Sequence, residues 1–345
     1  MTAANVLETI IEYDSVALIG MDKNSGKTTV LNHIICEARG KLALGLTSIG
    51  RDGEAIDEVT GTEKPRIYVE RGTNIATSRK YLLCSDISRE ILDTTGIQTP
   101  MGEIIIARAL SDGFIQLAGP SITTDINNVC RALLGHGSKL IIVDGAISRK
   151  SSASPFVTDA AILCTGASLG KSIYNVVKET KHTANLLSIA PETQLDVLQI
   201  SKSILCKARL GFIFKDFVYK TVQVLTALDA SKIIIENLHE NTTYIVISGA
   251  ITDKLLSDIM KSGKNLKNIT LLVEDGTKLF LSHEYFNGFI CRGGLIKAIN
   301  PINLVCITCN PNSPYGYNFN GPAFLELLKE AIPLPVFDVL GGEKY

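Results

Sequence analysis

A glycine-rich segment near residue 20 carries residue types that bind phosphate. Gly20-Met-Asp-Lys-Asn-Ser-Gly-Lys-Thr28 is close to the pattern G-x-x-x-x-G-K-[ST]: it ends in Gly-Lys-Thr, but five residues instead of four separate its two glycines. The two glycines let backbone N–H groups approach phosphate oxygens without an intervening side chain. Lys27 is expected to reach the β- and γ-phosphates, and the Thr28 hydroxyl is expected to bind magnesium. The predicted nucleotide-binding residues are Gly20, Lys23, Asn24, Ser25, Gly26, Lys27, Thr28 and Thr29.

The residues on either side of this loop predict a strand before it and a helix after it. Ser15-Val-Ala-Leu-Ile-Gly20 is an apolar run typical of a buried strand. The apolar residues between Val30 and Ile35 share one helical face, and Gly40 can end the helix. This context favours phosphate binding, because a helix N-terminus adds positive potential beside the loop. The alternative is an ordinary glycine turn between a strand and a helix.

A second candidate site residue ends another apolar run. Leu140-Ile-Ile-Val-Asp144 predicts a buried strand that finishes in a carboxylate, with Gly145 next. Beside a phosphate loop, such a carboxylate takes magnesium through water or orients the attacking water. Asp144 is therefore predicted to be catalytic, together with Lys27, and to bind the metal. The alternative is an aspartate that only begins a turn with Gly145.

The loop after the second predicted strand, Leu42–Ser48, is rich in acidic residues. Asp52 lies in this loop and is the third predicted catalytic residue, because a carboxylate here can hold the metal or activate water. The predicted metal-binding residues are thus Thr28, Asp144 and Asp52. A solvated acidic loop is an equal alternative, and other carboxylates of the same loop compete for the role: Glu54, Asp57 and Glu58.

Four basic residues are further candidates for phosphate contacts. Lys23 occupies the fourth position of the loop motif, where it can meet the triphosphate. Arg71 follows the third predicted strand, and Arg149 and Lys150 follow Asp144. Surface salt bridges are the alternative for the last three residues.

Strands and helices alternate along the first half of the chain. The alternation predicts an α/β fold, namely a P-loop NTPase with a doubly wound, mostly parallel sheet and the phosphate site at the carboxyl ends of the strands. Residues 103–110 and 113–118 flank Ser111-Asp112 and predict an antiparallel hairpin. The alternation resumes at Thr243. We therefore expect a nucleotide-binding domain over residues 1–200 and a second, smaller α/β domain over residues 201–345.

Composition and charge narrow the classes of function. Apolar residues make up 46% of the 345 residues and charged residues 20%, which is a globular balance, and the formal net charge is −1. Proteins that bind nucleic acid or anionic membranes usually carry a basic field, so neither partner is expected. No apolar run approaches the ~18 residues of a spanning helix, and the acidic first residues do not resemble a signal peptide. We expect a cytoplasmic protein.

The sequence predicts the base of the nucleotide less clearly than it predicts phosphate binding. No N-K-x-D motif, which reads guanine, follows a strand in the nucleotide-binding half. Adenine is often bound by backbone groups that leave no motif. The predicted activity is therefore nucleoside-triphosphate hydrolysis, with ATP favoured over GTP and Mg²⁺ as the metal.

Two resemblances bear on the role of the nucleotide. The loop Gly20–Thr28 with Asp144-Gly-Ala146 resembles the dethiobiotin synthetase branch of P-loop proteins, over roughly the first half of the chain. The whole chain is similar to the smaller reactivase subunit found with lysine 5,6-aminomutase in amino-acid-fermenting anaerobes. The segments that carry this similarity are Thr47-Ser-Ile-Gly-Arg-Asp-Gly53, Glu70-Arg-Gly-Thr73, Asp144-Gly-Ala-Ile-Ser-Arg149, Asn310-Pro-Asn-Ser-Pro-Tyr-Gly316 and Phe337-Asp-Val-Leu-Gly341.

The two resemblances imply different functions. The second implies an ATP-driven reactivation factor that releases damaged cobalamin from an adenosylcobalamin-dependent aminomutase, acting with a larger ATPase subunit. The first implies an alternative, an ATP-dependent phosphoryl-transfer or ligase enzyme that acts on a small carboxylate. A small-molecule enzyme of that kind usually needs only the first domain. The domain-sized addition therefore favours a second domain that binds a partner.

Overall fold

The computed structural model describes residues 5–49, 66–145, 153–224 and 230–339. The chain divides into two compact units. The first unit combines the residues up to Ala184 with those from Asn303 onward, and the second runs from Asn185 to Ile302. Both units contain helices and a sheet, which confirms the expected α/β class.

The first unit is built on a large sheet. Numbered along the whole chain, its strands are β1 (Ser15–Gly20), β2 (Leu44–Ser48), β3 (Ile67–Val69), β4 (Asn74–Ser78), β5 (Arg89–Thr99), β6 (Gly102–Ala109), β7 (Gly113–Ile115), β8 (Leu140–Asp144), β9 (Ala160–Gly166), β17 (Leu304–Asn310) and β18 (Val336–Phe337). Nine of them form one sheet in the order β18-β17-β9-β1-β8-β2-β4-β6-β5. The strands from β18 to β4 run parallel, so their carboxyl ends share one edge. The strand β6 is antiparallel to β4, and β5 is antiparallel to β6.

Helices cover both faces of this sheet. The helices of the first unit are α1 (Val6–Ile10), α2 (Lys27–Ala38), α3 (Arg79–Leu83), α4 (Thr123–Gly135), α5 (Ile173–Leu187), whose last residues belong to the second unit, and α10 (Gly321–Ala331). In β8, Leu140 and Ile142 pack in the same core cluster as α2, whereas Ile141 and Val143 pack with α4. A strand with helices on both faces needs apolar residues at every position, which explains the uninterrupted apolar runs of β1 and β8.

The predicted hairpin of residues 103–110 and 113–118 is wrong. The strand β6 pairs with β4 and β5, while β7 pairs with β3 in a separate two-stranded sheet. The true hairpin partner, β5, is an edge strand with mostly polar, solvent-facing residues. Without a buried face it lacks the alternation of apolar residues by which strands are recognised.

The expected boundary between residues 200 and 201 differs from the observed division. The strand β17, which we assigned to the second domain, pairs in parallel with β9, and β18 pairs with β17. The end of the chain therefore returns to the sheet of the first unit. This pairing joins segments far apart in sequence, and a local pattern of apolar residues carries no information about it.

The second unit is a smaller α/β body. Its strands are β10 (Leu210–Phe214), β11 (Tyr219–Val222), β12 (Thr242–Ile247), β13 (Ile251–Thr252), β14 (Thr270–Val273), β15 (Leu279–Phe280) and β16 (Leu295–Ala298), and its helices are α6 (Leu195–Lys207), α7 (Ala230–Asn237), α8 (Asp253–Lys261) and α9 (His283–Cys291). Five strands form a sheet in the order β11-β10-β12-β14-β16, in which β12, β14 and β16 are parallel. Phe212 and Phe289 are fully buried in its own hydrophobic core.

Candidate functional site

The loop between β1 and α2 has the backbone shape of an anion-binding nest. Asn24 and Gly26 have φ angles of 60° and 94°, so both lie in the left-handed region. Such conformations turn successive N–H groups toward one concave side. Gly26 is also the N-cap residue of α2, and no side chain in the described part of the chain caps that end. The first N–H groups of α2 are therefore available to an anion.

Two side chains of the loop fold back over Gly20. A Cβ atom added at Gly20 would collide with the Nζ atom of Lys27 and the Oγ atom of Ser25. Ser25 is only 2% exposed, and its Oγ has no hydrogen-bond partner among the described residues. Glycine is needed at position 20 because a larger residue would displace both groups. The loop thus holds an ammonium group and an unpaired hydroxyl on its inner side, where a phosphate oxygen can accept from both.

Asp144 lies at the end of β8, directly beside β1. Its register partners are Leu18 of β1 and Ser48 of β2. Because side chains alternate along a strand, Asp144 shares the face of Ile142, which packs in the core cluster of α2. The half-buried carboxylate therefore lies on the same side of the sheet as the loop.

Both charged groups of the site affect the pKa of the Cys164 thiol. Cys164 lies on β9 as the register partner of Gly20. Burial raises the pKa of the thiol to about 11; the hydrogen bond with Thr308 and the positive charge of Lys27 act to lower it, and the carboxylate of Asp144 acts to raise it. This agrees with the geometry, in which Nζ of Lys27 lies over Gly20 and Asp144 is the register partner of Leu18 near the carboxyl end of β1.

The other predicted residues have mixed outcomes. Lys23 and Asn24 are half-buried in the loop, and Thr28 and Thr29 are half-buried in the first turn of α2. This loop follows β1 directly, and β8, which ends in Asp144, pairs with β1. The acidic residue Asp52 lies outside the described residues, as do the other acidic and basic candidates of those segments: Glu54, Asp57, Glu58, Arg149 and Lys150.

The prediction that Arg71 faces the phosphates is wrong. Arg71 precedes β4, whose first residue, Asn74, is the register partner of Gly45 near the start of β2. Because these strands are parallel, Arg71 lies at their amino ends, whereas the loop lies at their carboxyl ends. Two exposed basic residues that we did not predict, Arg79 and Lys80, follow the carboxyl end of β4 directly.

Sequence reasoning also missed Asn310. This residue ends β17, and its Nδ2 atom donates a hydrogen bond to the carbonyl oxygen of Asn24 at 3.2 Å. The only trace in the sequence is a polar residue after an apolar strand. That strand was placed in another domain, so nothing connected Asn310 to the loop.

The donor atoms near the loop suit magnesium better than a transition metal. The described residues contain no group of three or more His, Cys, Asp or Glu side chains that could hold a metal ion. Thr28 and Asp144 offer a hydroxyl and a carboxylate, and Mg²⁺ prefers such oxygen ligands, completed by water and substrate phosphates. Thr28 and Asp144 therefore offer ligand types that fit a magnesium ion.

Comparisons with known proteins add no family to these observations. Protein-family models, curated proteins and solved structures were all searched, and none matched the chain. Within the described residues, no helix is long and apolar enough to cross a membrane. The functional assignment therefore depends on the geometry and chemistry of the loop.

Proposed function

We propose that this chain is a P-loop NTPase that binds and hydrolyses a nucleoside triphosphate with Mg²⁺, and that ATP is preferred over GTP. The observation that carries the proposal is the fold of Lys27 and Ser25 over Gly20, inside a loop with two left-handed residues at an uncapped helix N-terminus. Backbone N–H groups, an ammonium group and a hydroxyl then converge on one concave surface. This set of donors suits the β- and γ-phosphates.

Each residue of the site has a role that follows from its position. The N–H groups from Gly26 onward hold the β-phosphate, and Lys27 bridges the β- and γ-phosphates. Thr28 and Asp144 are the residues that would hold Mg²⁺, which when bound neutralises charge on the phosphate oxygens. Asp144 also orients the water that attacks the γ-phosphate. Asp52, outside the described residues, remains a prediction for the same step.

We further propose that hydrolysis serves the reactivation of an adenosylcobalamin-dependent aminomutase, together with a larger ATPase subunit. The proposal starts from the resemblance of the segments quoted in the sequence analysis to reactivase subunits, and it is supported by the presence of a second unit, Asn185–Ile302, with its own core. A body of that size is a suitable surface for a protein partner. The alternative remains an enzyme of dethiobiotin synthetase type that transfers phosphate to a small carboxylate.

The binding proposal is tested by titrating ATP with Mg²⁺ into the wild-type chain and the variant Lys27→Ala in a calorimeter. Loss of one charge-assisted contact predicts an affinity lower by roughly 10- to 100-fold. Lys41→Ala is the control, because Lys41 is an exposed lysine beyond the far end of α2. Equal affinities for the folded Lys27→Ala variant and the wild type would show that this loop is not the nucleotide-binding site.

A further inference from the structure

We infer that Asn310 is a positioning residue for the phosphate-binding loop, holding the backbone at Asn24 in the conformation that the triphosphate requires. The inference rests on the proposed function, because it concerns the same loop. It gives β17, which carries Asn310 and pairs with β9 of the first unit, a part in nucleotide binding.

The geometry places Asn310 against both left-handed residues of the loop. The strand β17 is two strands away from β1, or about 10 Å at the usual spacing of strands. From the end of β17, Nδ2 of Asn310 reaches the carbonyl oxygen of Asn24 at 3.2 Å. A Cβ atom added at Gly26 would lie 3.2 Å from Cβ of Asn310. The side chain therefore both bonds to the loop and limits its movement toward β17.

The amide of Asn310 is itself held in place. Its Oδ1 atom accepts a hydrogen bond from the N–H of Asn312 at 3.1 Å, which leaves Nδ2 directed at the loop. In the opposite orientation of the amide, Nδ2 would face the N–H of Asn312 and Oδ1 would face the carbonyl oxygen of Asn24. Two donors would then meet at one contact and two acceptors at the other. The backbone of Asn310 also lies close to Gly166 of β9, where an added Cβ atom would be 2.8 Å from the carbonyl oxygen of Asn310. Contacts within the chain thus direct the donor at Asn24.

The backbone of Asn24 needs such support. A residue with a side chain adopts the left-handed conformation at a cost, so it persists only where neighbouring groups hold it. Without the donor, the loop would spend part of its time in other conformations. The apparent dissociation constant of a ligand rises by the inverse of the fraction of molecules that are competent to bind. Loss of one neutral hydrogen bond predicts an increase of roughly three- to tenfold.

The test compares two variants at Asn310 with a matched control in the full-length chain. Asn310→Ala removes the donor, and Asn310→Asp keeps the shape and the acceptor for Asn312 but loses the donor. The control is Asn318→Ala, because Asn318 is exposed in the same segment and its Oδ1 likewise accepts from a backbone N–H, that of Ser313. Three quantities are measured: hydrogen exchange of residues 21–26 without nucleotide, ATP affinity with Mg²⁺, and kcat at saturating ATP.

Both Asn310 variants are expected to exchange faster over residues 21–26 and to bind ATP more weakly, with kcat near the wild-type value. The constant kcat separates a positioning role from a general loss of structure, since Asn310 contacts the loop and not the reacting atoms. Unchanged exchange and affinity in both variants, or an equal effect of Asn318→Ala, would overturn the inference. A wild-type chain that binds no ATP would overturn the proposed function instead, while loop exchange still decides whether Asn310 positions the loop.

Discussion

At the scale of single residues, the charge of Asp144 is the feature most specific to hydrolysis. Asp144→Asn keeps the size and hydrogen-bonding capacity of the side chain but removes its negative charge. We expect the single-turnover rate of ATP hydrolysis to fall by at least about 100-fold, because the attacking water loses its orienting carboxylate. ATP affinity should fall far less, since the loop and Lys27 remain. Turnover at the wild-type rate would reduce Asp144 to a turn-forming residue.

Glu192 in the second unit makes the stability of the chain depend on pH. Its side chain accepts from the N–H groups of Thr193 and Gln194 and pairs with Lys297 at 3.1 Å. Burial alone would raise the pKa of Glu192, but the hydrogen bonds and the charge of Lys297 prevail and lower it. A carboxyl group with a lowered pKa stabilises the fold above its unfolded pKa, and this contribution is lost as the pH falls through the folded pKa.

Glu192→Gln should therefore destabilise the chain by about 1–3 kcal/mol at pH 7, because a buried charged acceptor is lost beside Lys297. The difference from the wild type should shrink as the pH falls through the lowered pKa of folded Glu192, because both proteins then have a neutral side chain at this position. A series of urea unfolding curves from pH 7 downward measures this change. A difference independent of pH would show that packing, and not charge, is what Glu192 contributes.

At the scale of secondary-structure elements, the hairpin of β10 and β11 closes on an unusual residue. The N–H of Phe217 donates to the carbonyl oxygen of Phe214, and the N–H of Phe214 donates to that of Val218. This short loop requires a left-handed residue before the second strand, a position that favours glycine, and Phe217 has φ of 60° there. The bulky side chain gains little in return, since 42% of it is exposed.

Phe217→Gly is therefore expected to stabilise the chain, by up to about 1 kcal/mol once the lost apolar contact is subtracted. Val218→Gly is the matched control: Val218 is also exposed but is not among the residues with positive φ, so glycine there should destabilise by adding flexibility to the unfolded chain. Thermal unfolding of the two variants gives the signs. A destabilised Phe217→Gly variant would mean that contacts of the ring outweigh the backbone cost.

The same hairpin illustrates which elements sequence patterns predict. The strands β1 and β8 were predicted with correct bounds because buried apolar residues mark them locally. The hairpin of β10 and β11 was not predicted, because Phe217 stands where a glycine would signal the turn. The edge strand β5 was missed for a related reason, since its exposed residues carry no apolar period.

The residues of the candidate site likewise differ in whether local sequence can predict them. The loop Gly20–Thr29 is contiguous, and Asp144 ends an apolar strand, so local sequence identifies both. Asn310 is 286 positions away from Asn24, and the two meet only through the pairing of β17 with β9. The misplacement of Arg71 has the same origin, because the edge at which a loop lies depends on the direction and pairing of its strand.

At the scale of the whole molecule, the second unit is an insertion. The chain leaves the first unit after Ala184 and returns at Asn303, and β17 then covers the edge of β9. A chain in which Asn185–Ile302 is replaced by a flexible Gly/Ser linker should therefore fold and bind ATP. A fragment of residues 1–200 should not, because β9 would lose β17 and expose an apolar edge. Cooperative urea unfolding and ATP titration distinguish them, and a stable fragment 1–200 would contradict the discontinuous unit.

A reactivation factor must bind its client differently in its two nucleotide states. A ligand shifts a conformational equilibrium only through its different affinities for the states, so the aminomutase should bind the ATP and ADP forms with different dissociation constants. Thermodynamic linkage then requires that the client change the ratio of ATP to ADP affinity by the same factor, typically about 5- to 150-fold.

The Asp144→Asn variant, which should retain ATP, allows the ATP form to be titrated with the client, with and without the larger ATPase subunit. Lys27→Ala is the control: at nucleotide concentrations well below its weakened dissociation constants, this variant should bind the client equally in ATP and in ADP. If the wild type binds the client equally in both nucleotide states and transfers phosphate to a small carboxylate, the chain is a phosphoryl-transfer enzyme and not a reactivation factor.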